Sequence, residues 1–329
     1  MVQESIVSVD PAVDPAVDPA VEPGDVALAV DIGGTKVDSA LVTPAGQVLR
    51  ETAARRPTGR QSTHRQIADS IRDAVAETLH RRAPGQRVCG IGVGSAGPVD
   101  LPAGSVSPVN LPAAHGLAVA DEIGGLVPDA PVTLALDGTC IALAEHWLGA
   151  LAGCRNGLAM VVSTGIGGGF IVDGRPVTGT SGNAGHIGQI RVRTRDPEDP
   201  VASTLEAIAA GPGTVDWARG QGWNGRTGED LAAAYRFGSP VAARAVARSA
   251  EAVGEAIATA TTLFDLEVVA LAGGFVNVAD DYVDQVAAAV LQSALHPYAR
   301  AVRVARSSLM GDGPLLGAAA LVLRRPEPH

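Results

Sequence analysis

The chain has 329 residues, long for one core and comfortable for two domains of ordinary size. Its composition is 46% hydrophobic but only 3% aromatic, so the core must be built mainly from Ala, Val, Leu and Ile. A net charge of −10 without basic clusters argues against nucleic acid as a partner, and no apolar run reaches the ~18 residues that a bilayer span requires. No charged-then-apolar leader is legible at the N-terminus, so a cytoplasmic location without membrane partners is expected. The three cysteines, Cys89, Cys140 and Cys154, are odd in number and sit among small or apolar residues. They read as reduced thiols rather than a disulfide framework or a metal set.

Residues 1–24 stand apart. Asp10-Pro11-Ala12-Val13 recurs at 14–17 and 18–21 and decays into Glu22-Pro23-Gly24. A proline at every fourth position blocks helix and the acidic residues keep the segment solvated, which predicts a disordered, semi-extended tail. From Asp25 the pattern predicts a meander of three strands, Val26–Val30, Val37–Val42 and Val48–Arg50. Thr63-His64-Arg65-Gln66 has the form of a capping box, and Ile67, Ile71, Val75 and Leu79 then recur at helical spacing. Val88–Val93 is the next strand and runs into the Gly94–Gly97 turn. Ala130–Leu136 is another, and it delivers Asp137 at its C-terminal end, where open α/β sheets bind ligands. A helix is expected from Gly138 to Leu148. Val161–Val172 reads as strand, glycine turn and strand, closed by Asp173-Gly174. Val246, Ala250, Val253, Ile257, Ala260 and Phe264 form an apolar helical stripe ahead of a Val268–Leu271 strand, and Leu315–Leu323 is the last helix.

Three glycine turns punctuate this series, each after a β-rich run. They are Asp31-Ile32-Gly33-Gly34-Thr35-Lys36, Ser163-Thr164-Gly165-Ile166-Gly167-Gly168-Gly169 and Ala272-Gly273-Gly274. Bare backbone N–H groups at such turns cradle phosphate oxygens, and the hydroxyls of Thr35 and Thr164 add donors beside them. Three such turns, each following a strand, point to two lobes clamping one nucleotide. Asp31, just before the first turn, is placed either to hold Mg²⁺ against the phosphates or to form an Asx-turn. Lys36 is either a phosphate ligand or a solvated strand residue. Asp137 is either a general base or the cap of the helix that follows it.

The chain resembles the ROK group of sugar kinases and regulators, within the actin-like ATPase/hexokinase fold. The resemblance rests on Asp31 to Lys36, Gly92-Val93-Gly94-Ser95-Ala96-Gly97-Pro98-Val99-Asp100, Asn110-Leu111-Pro112 and Asp137 with Ala144-Glu145. It continues through Ser163–Gly169, Ala184-Gly185-His186-Ile187-Gly188, Glu206, Gly273-Gly274 and Gly313-Pro314-Leu315-Leu316-Gly317-Ala318-Ala319, and so covers roughly residues 25 to 323. It implies an α/β, two-lobed actin-like ATPase (ribonuclease H-like) fold with nucleotide and sugar in the interlobe cleft. The lobes would be 25–137 and 138–329, with a last helix at about 314–324 returning to the first. A DNA-binding winged helix, which ROK repressors carry ahead of this motif, does not fit in the tail.

The resemblance further implies an ATP- and Mg²⁺-dependent carbohydrate kinase, in the expected form of a homodimer. Asp137 would be the base that takes the proton of a primary, 6-type sugar hydroxyl. Gly97, Asn110, His186 and Glu206 would contact the sugar, and Gly273 and Gly274 would approach the adenosine. A histidine at position 186, where the family usually has glutamate, is similar to its bacterial N-acetylmannosamine kinases. Three departures stand out. Gln189 replaces the family's zinc-binding histidine and Arg193–Pro200 its cysteine cluster, so no zinc site is expected. Leu136 and Thr139 replace asparagines on either side of Asp137. Losing a polar reader of one hydroxyl predicts a modified substrate, an amino- or N-acetyl-hexose, with a cyclitol or other unusual sugar next and glucose third. A sugar-responsive regulator without catalysis is the rival of another class.

Overall fold

The structure is a computed structural model that describes residues 21–22, 24–192, 201–309 and 311–324. Of the tail expected over residues 1–24, residues 1–20 and 23 lie outside the described residues, as does the substituted 193–200 segment. The chain forms β1 (Asp25–Ile32), β2 (Lys36–Val42), β3 (Val48–Pro57), α1 (His64–His80) and β4 (Arg87–Ser95). A small hairpin, β5 (Val99–Asp100) and β6 (Ser105–Val106), precedes α2 (Val119–Gly124), β7 (Val132–Leu136) and α3 (Asp137–Leu148). Then come β8 (Gly157–Val162), β9 (Ile166–Val172), β10 (Arg175–Pro176), α4 (Leu205–Ala209), α5 (Gly211–Gly220), α6 (Gly228–Arg236) and α7 (Pro240–Phe264). The last elements are β11 (Val268–Ala272), α8 (Tyr282–Ser293), α9 (Pro297–Arg300), β12 (Arg303–Arg306) and α10 (Gly313–Leu323).

Two five-stranded sheets have the same layout. The first runs β3-β2-β1-β4-β7 and the second β10-β9-β8-β11-β12. In each, three strands pair antiparallel and the remaining two continue parallel to the central one. Alternation along the strands sorts side chains between two environments. On β1, Val26, Leu28 and Val30 face a core with Ile67, Ile71 and Val75 of α1, while Ala27 and Ala29 face α10. On β8, Leu158, Met160 and Val162 face α7, while Ala159 turns toward α3. Full burial of each large α1 side chain contributes about 1.5–3 kcal/mol.

The pair α3 and α10 lies between the two sheets, and its packing explains the alanines. A Cβ on Gly317 would land on the carbonyl of Cys140, and one on Gly92 on the carbonyl of Ala318. Backbones meet without intervening side chains, so only Ala and Gly fit facing them. The C-terminal helix packs on β1, β4 and α3.

The Thr63 cap holds both halves of its box, with Thr63 Oγ1 accepting from Gln66 N and Gln66 Oε1 accepting from Thr63 N. Asp173 and Gly174 both have positive φ, 52° and 73°, the form a two-residue hairpin demands between β9 and β10. Elsewhere the boundaries differ. β3 continues to Pro57 rather than stopping at Arg50, because this edge strand alternates buried Ala54 with exposed Glu51 and Arg55 and so hides its length. β7 starts at Val132, and α3 already includes Asp137, with Leu136 at the N-cap. The glycines Gly167–Gly169 belong to β9 rather than to the turn before it. Residues just ahead of Asp25 touch the body: Val21 packs on the core around α3 and α10, and Glu22 N donates to Asp25 Oδ2 at 2.8 Å.

Candidate active site

The parallel register of β1, β4 and β7 brings one set of residues to a single sheet edge. Asp31 lies opposite Gly94, and Ser95 opposite Leu136, so Asp31 and Asp137 come to the same corner. Burial pushes the Asp31 carboxyl up to about 7, and the neighbouring Asp137 charge pushes the same way. Asp137 is also raised by burial, opposed by a hydrogen bond from Gly138 N to its Oδ1 at 2.7 Å and by the nearby His186. The buried Cys140 thiol lies beneath both carboxylates and is held well above its ordinary range by burial and by their charges. Two half-buried carboxylates with no basic partner in contact among the described residues form a site that gains from a cation.

His186 comes to the same place from the other sheet's side. A Cβ on Gly97 would meet Leu136 Cδ2 at 2.6 Å and His186 Nε2 at 2.8 Å, so only glycine allows these groups to converge. His186 is itself exposed. Asn110, on the loop after the cis Gly97–Pro98 bond, reaches the first glycine turn, with its Nδ2 2.6 Å from where a Gly34 Cβ would stand. That turn is tied down from behind, since Thr58 Oγ1 donates to Gly33 O at 2.8 Å and Thr58 N to Thr35 O at 2.9 Å. Thr35 stays exposed. Lys36 is placed less favourably for phosphate, because its Nζ pairs with Asp38 at 2.9 Å, where Arg55 also binds.

The second turn joins β8 to β9, with Thr164 exposed and Gly167 open to space on β9. Its far end is gripped by Glu206, whose Oε2 accepts from Ile166 N at 2.8 Å and lies where a Gly165 Cβ would be. Gln189 Nε2 donates to the other oxygen of Glu206 at 3.3 Å. The third turn packs against the end of β8, and Gly273, at φ 101°, takes a backbone that an L side chain rarely adopts.

Between the second and third turns opens a cavity of about 430 Å³ lined by Ser163, Thr164, Gly211, Val215, Gly274 and Phe275, among others. The volume and the mixture of apolar wall and polar rim suit a nucleoside. Sequence reasoning missed its outer wall, Gly211–Val215 and Arg226–Ala232. The second capping box, Thr227 with Asp230, was legible there and marks the turn that forms the rim.

The residues fit a nucleotide with Mg²⁺: the second and third turns flank a nucleoside-sized cavity, and Asp31 is a half-buried carboxylate just before the first turn. The zinc set fits poorly. Gln189 offers an amide, and Cys140 and Cys154 are buried in the core around α3 while Cys89 packs against it. Among the described residues no three His, Cys, Asp or Glu side chains form a metal-holding group. Nor, among them, is any helix long and apolar enough to cross a membrane.

The family profile described as ROK matches residues 27–325. The chain belongs to the ROK family. It is 32% identical to the N-acetylmannosamine kinase of Yersinia pseudotuberculosis over 306 residues, 89% of this chain and 96% of that one. It is 30% identical to the glucokinase of Halalkalibacterium halodurans over 167 residues, and so spans about half the length of that relative. The ROK family glucokinase from Streptomyces griseus, solved with glucose and AMPPNP, superposes with a TM-score of 0.75 at 25% identity, over 90% of this chain and 99% of the other. This ROK protein has the two-lobed actin-like fold and is a carbohydrate kinase.

Proposed function

We propose that this ROK kinase transfers the γ-phosphoryl group of ATP to the primary, 6-type hydroxyl of an amino- or N-acetyl-hexose, with Asp137 as general base. The observation that carries the reading is the placement of Asp137 just after β7, half-buried, with its carboxyl raised by burial and His186 nearby. A base of that kind is protonated readily as the hydroxyl oxygen attacks phosphorus, and the Gly138 N–H fixes its orientation. Asp31 would hold Mg²⁺, directly or through water, and the ion would supply charge neutralisation at the phosphates. Gly33, Gly34 and Thr35, with Thr164, Gly165 and Gly167, bind the phosphates; Lys36 serves their field from its pair with Asp38. Gly97, Asn110, His186 and Glu206 orient the sugar.

The choice of a modified sugar follows from His186 and from Leu136, an apolar side chain packed at Gly97 beside the base, and agrees with the full-length likeness to an N-acetylmannosamine kinase. One observation favours a second reading, a cyclitol or other unusual sugar. The hydroxyl of Thr139, 2% exposed, meets no partner among the described residues, so the substrate pocket differs from one built around amides on both sides of Asp137. We further propose a cytoplasmic homodimer without zinc. A coupled assay of ADP release across N-acetylmannosamine, N-acetylglucosamine, glucosamine, glucose and a set of cyclitols tests the assignment. Highest kcat/KM on an N-acetyl- or amino-hexose is expected. A preference for glucose or a cyclitol refutes the substrate class, and binding of sugar without ADP release refutes catalysis.

A further inference from the structure

The turn after β11 is braced by one side chain whose geometry fixes what the cavity offers to a base. Arg306, on the neighbouring edge strand β12, lies in register with Leu271 of β11. Its Nη1 donates to Val276 O at 3.2 Å and to Asn277 Oδ1 at 2.6 Å, and its Nη2 to Asp280 O at 3.5 Å. A guanidinium has no acceptor, so the Asn277 oxygen must be the atom turned to Arg306. The Asn277 amide therefore has one orientation, with its two Nδ2 hydrogens pointing away from Arg306. Asn277 lines the cavity, and among the described residues no acceptor meets its Nδ2.

We propose that Asn277, locked by Arg306, is the residue that reads the base of the nucleotide, donating from Nδ2 to a ring nitrogen of adenine. This rests on the reading that the 430 Å³ cavity holds the nucleoside of ATP. Arg306 is a positioning residue: it touches no ligand, but it fixes the amide and the 274–277 turn together. With its oxygen consumed, Asn277 offers donors only, so an edge rich in acceptors is favoured. Asp216 and Glu229 also line the cavity, which leaves the acceptor role for the exocyclic amine or the ribose to them.

ATP binding by calorimetry, with no sugar present, tests this on the intact chain independently of turnover. Asn277→Asp keeps the shape and the bond to Arg306 but turns an acceptor toward the base. The Kd for ATP should rise about tenfold or more, the scale of one lost hydrogen bond plus repulsion, with the KM for sugar unchanged. Among 1-deaza-, 3-deaza- and 7-deaza-ATP, one analogue should bind wild type weakly and lose nothing further in Asn277→Ala. Arg306→Lys cannot reach three acceptors from a single ammonium. It should weaken ATP several-fold in the wild type and hardly at all in an Asn277→Ala background, with melting temperature recorded to separate unfolding from mispositioning. Unchanged ATP affinity in Asn277→Asp, or fully additive losses for all three analogues, overturns the proposal. Ala232→Leu fills the cavity from its wall. If ATP still binds that variant normally, the nucleoside lies elsewhere, and the placement itself fails rather than the assignment of Asn277.

Discussion

Replacing Asp137 with Asn separates catalysis from architecture more cleanly than any other single change. The substitution keeps the atom that accepts the Gly138 N–H at 2.7 Å, so the side chain stays in place at the start of α3. It removes the proton acceptor, and it removes the neighbouring charge that helps push the Asp31 carboxyl up. Turnover should therefore fall by at least ~10²-fold, which is about 2.7 kcal/mol of transition-state free energy, and up to ~10⁴-fold. Stability should move the other way. Burial penalises a charged Asp137, and an amide carries no such penalty, so the melting temperature of the ligand-free protein at pH 8 should hold or rise. The KM for sugar should change little, because Asn still accepts and donates hydrogen bonds. The assay is coupled ADP release at saturating ATP and sugar, paired with differential scanning fluorimetry of the same samples. Turnover near wild type would show that Asp137 only starts the helix. Lost turnover accompanied by a large drop in melting temperature would show that the carboxylate is structural and that the base lies elsewhere.

Three further outcomes are expected. Asp31, at about 7 in the fold against its ordinary 3.8, binds its proton more tightly when folded. The ligand-free protein should therefore lose stability as pH rises from about 4 to 7, and Asp31→Asn should flatten that slope in melting curves taken across the window; a slope unchanged by the mutation would contradict the burial argument. Gly317→Ala drives a methyl into the Cys140 carbonyl, which cannot swing aside, so chemical denaturation should show about 3 kcal/mol or more of lost stability, and a loss under ~1 kcal/mol would mean the helix pair is not packed as described. With Gln189 in place of a zinc-binding histidine, the purified protein should contain no stoichiometric zinc by elemental analysis and should keep its far-UV spectrum in EDTA, losing only the activity that excess Mg²⁺ restores.

How much of this was legible depended on whether the cause was local. Thr63 and Gln66 lie three residues apart, so their box could be read and was found. Asp173-Gly174 declared its turn for the same reason. Asp137 was visible as a carboxylate ending an apolar strand, though its inclusion in α3 was hidden because Leu136, an unlikely-looking cap, has no side-chain bond to offer. Lys36 could not be settled from the sequence. Its partner Asp38 is two residues on and projects to the same side of β2, a pairing that competes with any phosphate and that only the strand geometry reveals. Glu206 and Ile166 are forty residues apart, and Arg306 and Asn277 nearly thirty; no periodicity connects them, and their meeting is a product of topology. The glycines at 92 and 317 entered only as parts of the family resemblance, and their close approach to backbone is visible only in the packing of α10.

The position of α10 has a consequence for synthesis on the ribosome. One face of the first sheet, lined by Ala27, Ala29 and Gly92, is covered by a helix made about 200 residues after β4. At ordinary elongation rates that face stays uncovered for on the order of ten seconds or more. A nascent sheet left open for so long is an invitation to sticking, and the strength of that invitation scales with apolar area. Alanine and glycine present little of it. The small residues that let two backbones touch in the finished protein thus also keep the half-made one quiet while it waits for α10.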